Sequence, residues 1–213
     1  MIKAVIFDLD DTLVKTSETK YAALKFAANN FYKLELTSEM IRLHWGKPYR
    51  KFMQDLFGEV DAIDSIIENY YSIRDQFPSA SHESAVPIVQ ELSKSYVIGL
   101  VTASSKRLTE NDLIAAGFDL KVFDYIQTSE QTSVHKPDPN VFNPISTFLA
   151  KKHISSSETV YVGDSPADFE AAKGKGFHFI GIINRTHPLE KFGSIVHTIN
   201  HLSELPKKIK AIR

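Results

Sequence analysis

Short apolar runs alternate with longer stretches of helical periodicity along most of this chain, and one block breaks the alternation. Ala4–Phe7, Val97–Val101, Thr159–Val162 and Phe179–Ile183 are rich in branched and aromatic residues and read as strands covered on both faces. A weaker strand is expected near Tyr125–Thr128 and another at Ile195–Ile199. Between them, helices are expected from about Lys106 to Ala116, stopped by Gly117; from Pro139 to about Lys152; and from Ser165-Pro166 to Gly174-Lys175-Gly176. A short amphipathic helix with basic residues follows His201. Strands alternating with helices predict a parallel α/β sheet.

The exception lies directly after the first strand, where residues 15 to 80 read almost entirely as helix. Tyr21, Leu24, Lys25, Ala28 and Phe31 share one side, and the period recurs around Ile41, Phe52–Phe57 and Ile63–Phe77. Trp45-Gly46-Lys47-Pro48 punctuates this block, and the Ser-rich, Pro-bearing segment Gln76–Pro87 closes it. Its aromatic residues, Phe26, Phe31, Tyr32, Phe52, Phe57, Tyr70 and Tyr71, are expected to form a small core of their own. The expected architecture is a Rossmann-like parallel-sheet core, residues 1–14 and 83–213, with helices on both faces. An all-helical cap, residues 15–82, is inserted into it, with the crossings near 14 and 82 as hinges.

Composition narrows the function classes. With 213 residues the chain suits one sizeable core and an appendage. Lys and Arg number 25 against 26 for Asp and Glu, a formal net charge of −1, so no long-range field favours nucleic acid or an anionic membrane. There is no cysteine, which excludes disulfides and thiolate metal sites. No apolar run approaches membrane-spanning length, and a soluble, cytoplasmic protein is expected.

Polar residues then gather at four places next to predicted strand ends or helix starts. Asp8, Asp10 and Asp11 follow the first strand, and Thr102, Ala103, Ser104 and Ser105 follow the second. His135-Lys136-Pro137-Asp138-Pro139 precedes a helix, and Gly163-Asp164-Ser165-Pro166-Ala167-Asp168 follows the strand ending at Val162. In parallel sheets, ligands bind beyond the carboxyl ends of the strands. Asp8 and Asp10 stand two apart, so in extended geometry they project the same way. Carboxylates held that close repel, and a divalent cation relieves the repulsion.

These four motifs, in this order and spacing, resemble the haloacid dehalogenase superfamily, in particular its phosphatases with a helical cap inserted after the first strand. The resemblance implies a magnesium-dependent phosphatase acting on a small phosphorylated metabolite through an aspartyl phosphate. It assigns Asp8 as nucleophile and metal ligand, and Asp10 as proton donor and acceptor that also lends its backbone carbonyl to Mg2+. Asp164 supplies the remaining metal carboxylate, and Asp168 supports the site by holding a metal-bound water or Lys136. Lys136 compensates charge on the attacking carboxylate, and Thr102 with the Ala103 N–H binds a phosphoryl oxygen. Lys47 and Arg50, beside the Gly-x-Pro turn, are assigned to a second anionic group of the substrate. A sugar-phosphate mutase of the β-phosphoglucomutase type would keep the same acids, and a noncatalytic phospholigand-binding scaffold would keep the fold. The chain departs from the family pattern in having Asp11 where glycine is commoner, Ala103 in place of Asn, and His135 in place of Gly. Its second crossing, Ser84-Ala85-Val86-Pro87, lacks the usual Pro-Gly turn.

Each motif also has a structural reading. Ser165, Pro166 and Asp168 make a helix start without any catalysis, and Ser104 or Ser105 suits the cap of the next helix. His197 and His201, four apart, read as a surface pair and not as zinc ligands.

Overall fold

The computed structural model describes residues 1–45, 47–183 and 197–212. The chain divides into two compact units, Met1–Val14 with Ala80–Arg213, and Lys15–Ser79.

The first unit is built on a six-stranded sheet, entirely parallel: β1 (Ala4–Phe7), β2 (Val97–Val101), β3 (Tyr125–Gln127), β4 (Thr159–Gly163), β5 (His178–Ile182) and β6 (Thr198–Ile199). Spatial order is β3-β2-β1-β4-β5-β6. Strands step outward from β1 in one direction through β2 and β3, and in the other through β4, β5 and β6. The order therefore reverses between β1 and β4, which opens a crevice beyond their carboxyl ends. Ile195 and Val196 of the expected last strand lie outside the described residues, as does Gly46.

Alternating side chains of the strands feed two separate cores. Val5, Phe7, Val160 and Val162 pack on one face with α5 (Ala85–Leu92), α6 (Lys106–Ala115) and α9 (Leu205–Ala211). Ala4, Ile6 and Tyr161 pack on the other with α7 (Asn143–Lys151) and α8 (Pro166–Lys175). Burial on both faces explains why these strands read as continuous apolar runs. Helix α5 departs from the expectation of a hinge over Ser84–Pro87. Ser84 takes a left-handed conformation (φ +64°), and Ala85, Val86 and Pro87 form the first helical turn. Proline is tolerated there because first-turn N–H groups have no intrahelical acceptor. The segment after Pro139 is also subdivided: Pro139–Phe142 forms a 3-10 turn, started by the Asp138 side chain accepting from Asn140 N–H, and α7 follows.

The second unit contains α1 (Thr16–Tyr32), α2 (Ser38–His44), α3 (Tyr49–Phe57) and α4 (Ile63–Arg74). Its core includes Leu24, Ala28, Ile41, Phe52, Met53, Phe57, Ile66 and Tyr70. Two of the aromatics expected there are exposed, Phe26 at 41% and Phe31 at 37%. Helix α1 buries Ala23, Leu24, Ala27 and Ala28; Phe26 lies off that stripe and Phe31 is in the last turn. Trp45 packs edge-on against Tyr21 and Phe52. Among the described residues, no helix is long and apolar enough to cross a membrane.

Candidate active site

The site begins where β1 stops. Asp8 N–H still donates to Val162 O at 2.9 Å, so Asp8 keeps strand register one residue past Phe7. It therefore shares the parity of Ala4 and Ile6 and projects on the face where Tyr161, the register partner of Ile6 on β4, also lies. The chain then turns back: Leu9 O accepts from Leu13 N–H at 3.0 Å and Val14 N–H at 3.1 Å, and Asp11 adopts a left-handed conformation (φ +55°). That conformation explains why glycine suits this position and why Asp, among the more tolerant side chains, replaces it.

Lys136 is the hub. Its Nζ donates to Asp8 Oδ1 at 2.6 Å, to Asp168 Oδ1 at 2.6 Å and to Tyr161 OH at 2.8 Å, which uses all three ammonium protons. Asp168 is committed on both sides. Its other oxygen accepts from Ser165 N–H at 3.0 Å and Ser165 Oγ at 2.7 Å, while Asp168 N–H donates back to Ser165 Oγ. The capping box and the grip on Lys136 are thus the same residue working at both carboxylate oxygens. Gly163 is required beside it, because a β-carbon there would meet the Asp168 side chain at 2.7–2.8 Å.

Carboxylate oxygens of Asp8, Asp164 and Asp168 lie within 4.8 Å of one another, and all three residues are buried. Three carboxylates face one ammonium, so the cluster carries a buried excess of negative charge. Burial, the largest effect, pushes the Asp8 carboxyl well above the ordinary carboxylate range; Lys136 pulls it down, and Asp168, Asp10 and Asp164 push it further up. Burial also disfavours the Lys136 ammonium, but Asp168 and Asp8 outweigh that and raise its pKa. A divalent cation with oxygen ligands fits this deficit. Asp8, Asp164 and Asp168 each offer one carboxylate oxygen to such an ion. Asp10, half-buried, lies outside this carboxylate grouping; its Oδ2 accepts from Ser104 Oγ at 3.3 Å.

The loop after β2 completes the polar rim. Thr102 N–H donates to Gln127 O at 3.0 Å, and Thr102 Oγ1 accepts from Ser104 N–H at 3.1 Å. Neither Ser104 nor Ser105 caps α6 with its side chain. Glu130 does so instead, accepting from Lys106 N–H at 3.0 and 3.1 Å. Sequence reasoning missed Glu130, 24 residues from its partner, and Tyr161. The signal for Tyr161 was a phenol inside an apolar strand, whose hydroxyl must find a partner when buried.

Lys47 and Arg50 belong to the helical unit and are paired within it. Lys47 Nζ donates to Asp55 Oδ2 at 2.6 Å and lies 2.8 Å from His44 Nδ1, and Lys51 also holds Asp55. Arg50 donates to Asp64 Oδ1 at 2.6 Å. His197 and His201 flank the short edge strand β6, and His201 begins a one-turn 3-10 helix.

Residues 5–182 match the family described as haloacid dehalogenase-like hydrolase. The PpaX protein of Clostridium perfringens is 32% identical over 91% of this chain and 89% of its own length. Pyrophosphatase PpaX of Bacillus mycoides is 28% identical over 85% and 83%. The fold matches that of YfnB from Bacillus subtilis, solved bound to magnesium, with a TM-score of 0.80 at 20% identity, covering 98% of this chain and 99% of that one. A match over most of the chain, joined to the strand order and the cluster at the β1–β4 crevice, establishes that this chain belongs to the haloacid dehalogenase-like hydrolase family.

Proposed function

We propose that the chain is a magnesium-dependent phosphatase that hydrolyses a small phosphorylated molecule through an aspartyl phosphate on Asp8. The observation that carries this is Lys136 bridging Asp8 and Asp168 at 2.6 Å each, with Asp164 in the same buried cluster. Bound magnesium would neutralise and orient the phosphoryl oxygens, held by the Asp8 and Asp164 carboxylates and the Asp10 carbonyl.

The chain's own residues supply the remaining steps. An Asp8 carboxylate oxygen attacks phosphorus as the ester P–O bond breaks, and Asp10 gives its proton to the leaving oxygen. Water then attacks the phosphorus of the aspartyl phosphate, Asp10 takes its proton, and inorganic phosphate departs as Asp8 is restored. Lys136, fixed by Asp168, balances charge on Asp8 and the transferring group. Thr102 Oγ1 accepts from Ser104 N–H, which leaves its own proton to donate to a phosphoryl oxygen, alongside Ala103 N–H. Asp168 acts by holding Lys136.

The inserted helical unit is read as the cap, and the substrate as a small molecule. Lys47 or Arg50 is the cap cation that reads a second anionic group, exchanging its carboxylate partner, Asp55 or Asp64, for the substrate. Purified protein with magnesium is expected to release phosphate from at least one member of a panel. That panel holds inorganic pyrophosphate, the substrate class in the name of the Bacillus mycoides relative, with sugar phosphates, nucleotides and phosphoglycolate. No release from any member, or isomerisation of a sugar phosphate faster than release, overturns the proposal.

A further inference from the structure

Lys136 has three anchors, and the four-motif pattern accounts for only two of them. The third is Tyr161, which sits in the middle of β4 one strand away from Asp8 and on the same face. Its side chain is fully buried, edge-on to Phe142 at 4.8 Å between ring centroids and stacked with Phe179 at 6.4 Å. Those contacts hold the ring without reference to Lys136, so the hydroxyl is presented from a rigid base. It accepts from Lys136 Nζ at 2.8 Å and directs its own proton toward Val101 O at 3.3 Å or Asp168 Oδ1 at 3.4 Å. The ammonium also lies 5.3 Å from the Tyr161 ring centroid.

We propose that Tyr161 is a positioning residue for Lys136, its hydroxyl fixing the ammonium so that one proton stays aimed at Asp8 Oδ1. Asp168 and Asp8 both attract the ammonium, and two attractions alone leave it free to pivot about the line joining them. A neutral acceptor at the third corner removes that freedom without adding a negative charge beside Asp8. Burial pushes the Tyr161 pKa well up, so the phenol keeps its proton. Tyr161 does not touch the reacting atoms, and the proposal rests on the phosphatase reading of Asp8 and Lys136 given above.

The test is steady-state hydrolysis of p-nitrophenyl phosphate with magnesium by the full chain. Tyr161→Phe keeps the ring contacts and removes only the hydroxyl. It is expected to lower kcat by roughly 10-fold, the scale of one lost hydrogen bond to a charged group, with KM changed by less than about twofold. In a Lys136→Met background the same substitution is expected to cost nothing further, because its effect runs through Lys136. Should Lys136→Met not fold, Asp168→Asn is the background, and the losses of the two single variants are expected not to multiply independently. Wild-type kcat in Tyr161→Phe, or independent losses in either background, overturns the positioning role. An inactive wild-type chain overturns the phosphatase reading instead, and the positioning role with it.

Discussion

A β-carbon on Gly163 would lie 2.7 Å from Cβ of Asp168, so the last residue of β4 and the third residue of α8 meet only because one of them lacks a side chain. The contact matters because Asp168 is gripped between Ser165 and Lys136 and has nowhere to retreat. Gly163→Ala is expected to destabilise the protein by about 1–3 kcal/mol, the scale of overpacking, and to lower kcat as Asp168 shifts and Lys136 follows. Thermal unfolding and phosphate release measure the two effects. Wild-type values in both would show that α8 moves aside without cost.

Asp8→Asn is expected to abolish turnover while leaving the metal-free fold at least as stable as wild type at neutral pH. A buried carboxyl whose folded pKa is raised favours the folded state most when protonated, and that contribution is lost as pH rises toward the folded pKa. Asparagine mimics the protonated form. Under the proposed function, magnesium would bind only the folded state, so it is expected to raise the melting temperature of wild type but not of Asp8→Asn or Asp164→Asn. Equal stabilisation of all three by magnesium would remove these carboxylates from the metal site.

Asp10→Asn is expected to depend on the leaving group. Esters whose leaving oxygen needs a proton should lose far more rate than p-nitrophenyl phosphate, whose leaving anion is stable without one. Kinetics on a sugar phosphate and on p-nitrophenyl phosphate compare the two directly. Equal losses would argue against proton transfer by Asp10.

In the helical unit, hydrogen bonds from Lys47 and Lys51 hold the Asp55 carboxyl down to about 2. A depressed carboxyl contributes stability that is complete above its unfolded pKa and is lost as pH falls through the folded one. The difference in melting temperature between wild type and Asp55→Asn is therefore expected to be constant near neutrality and to shrink between about pH 4 and pH 2. A difference that stays constant down to pH 2 would contradict this.

The parts of the fold that were legible in the sequence are those whose burial is two-sided. β1, β2 and β4 announce themselves because neither face meets water, and the polar motifs stand out because they interrupt such runs. Helix α5 was hidden by Pro87, which reads as a turn until its place in the first helical turn is known. Phe31 was misplaced because periodicity assigns a residue to a face but does not show that the last turn of a helix lies at the margin of the core. At the site, residue types and spacing brought forward Asp8, Lys136 and Asp164. What stayed hidden were partnerships across the fold: Glu130 capping α6, Asp55 on Lys47, and Tyr161 under Lys136. A hydrogen bond between residues 25 apart leaves no period or motif in the chain.

The central place of β1 also shapes how the protein is made. Its hydrogen-bonding partners are residues 97–100 on one side and 159–162 on the other. At synthesis rates of about 5–20 residues per second, the second partner follows β1 out of the ribosome by about 8–30 s. For that interval the newborn chain carries an apolar strand with an open edge, the kind of edge that pairs with other chains. A nascent chain arrested before residue 159 would lack both the strand that covers this edge of β1 and Asp164, so the same stretch of chain that closes the sheet also completes the carboxylate cluster.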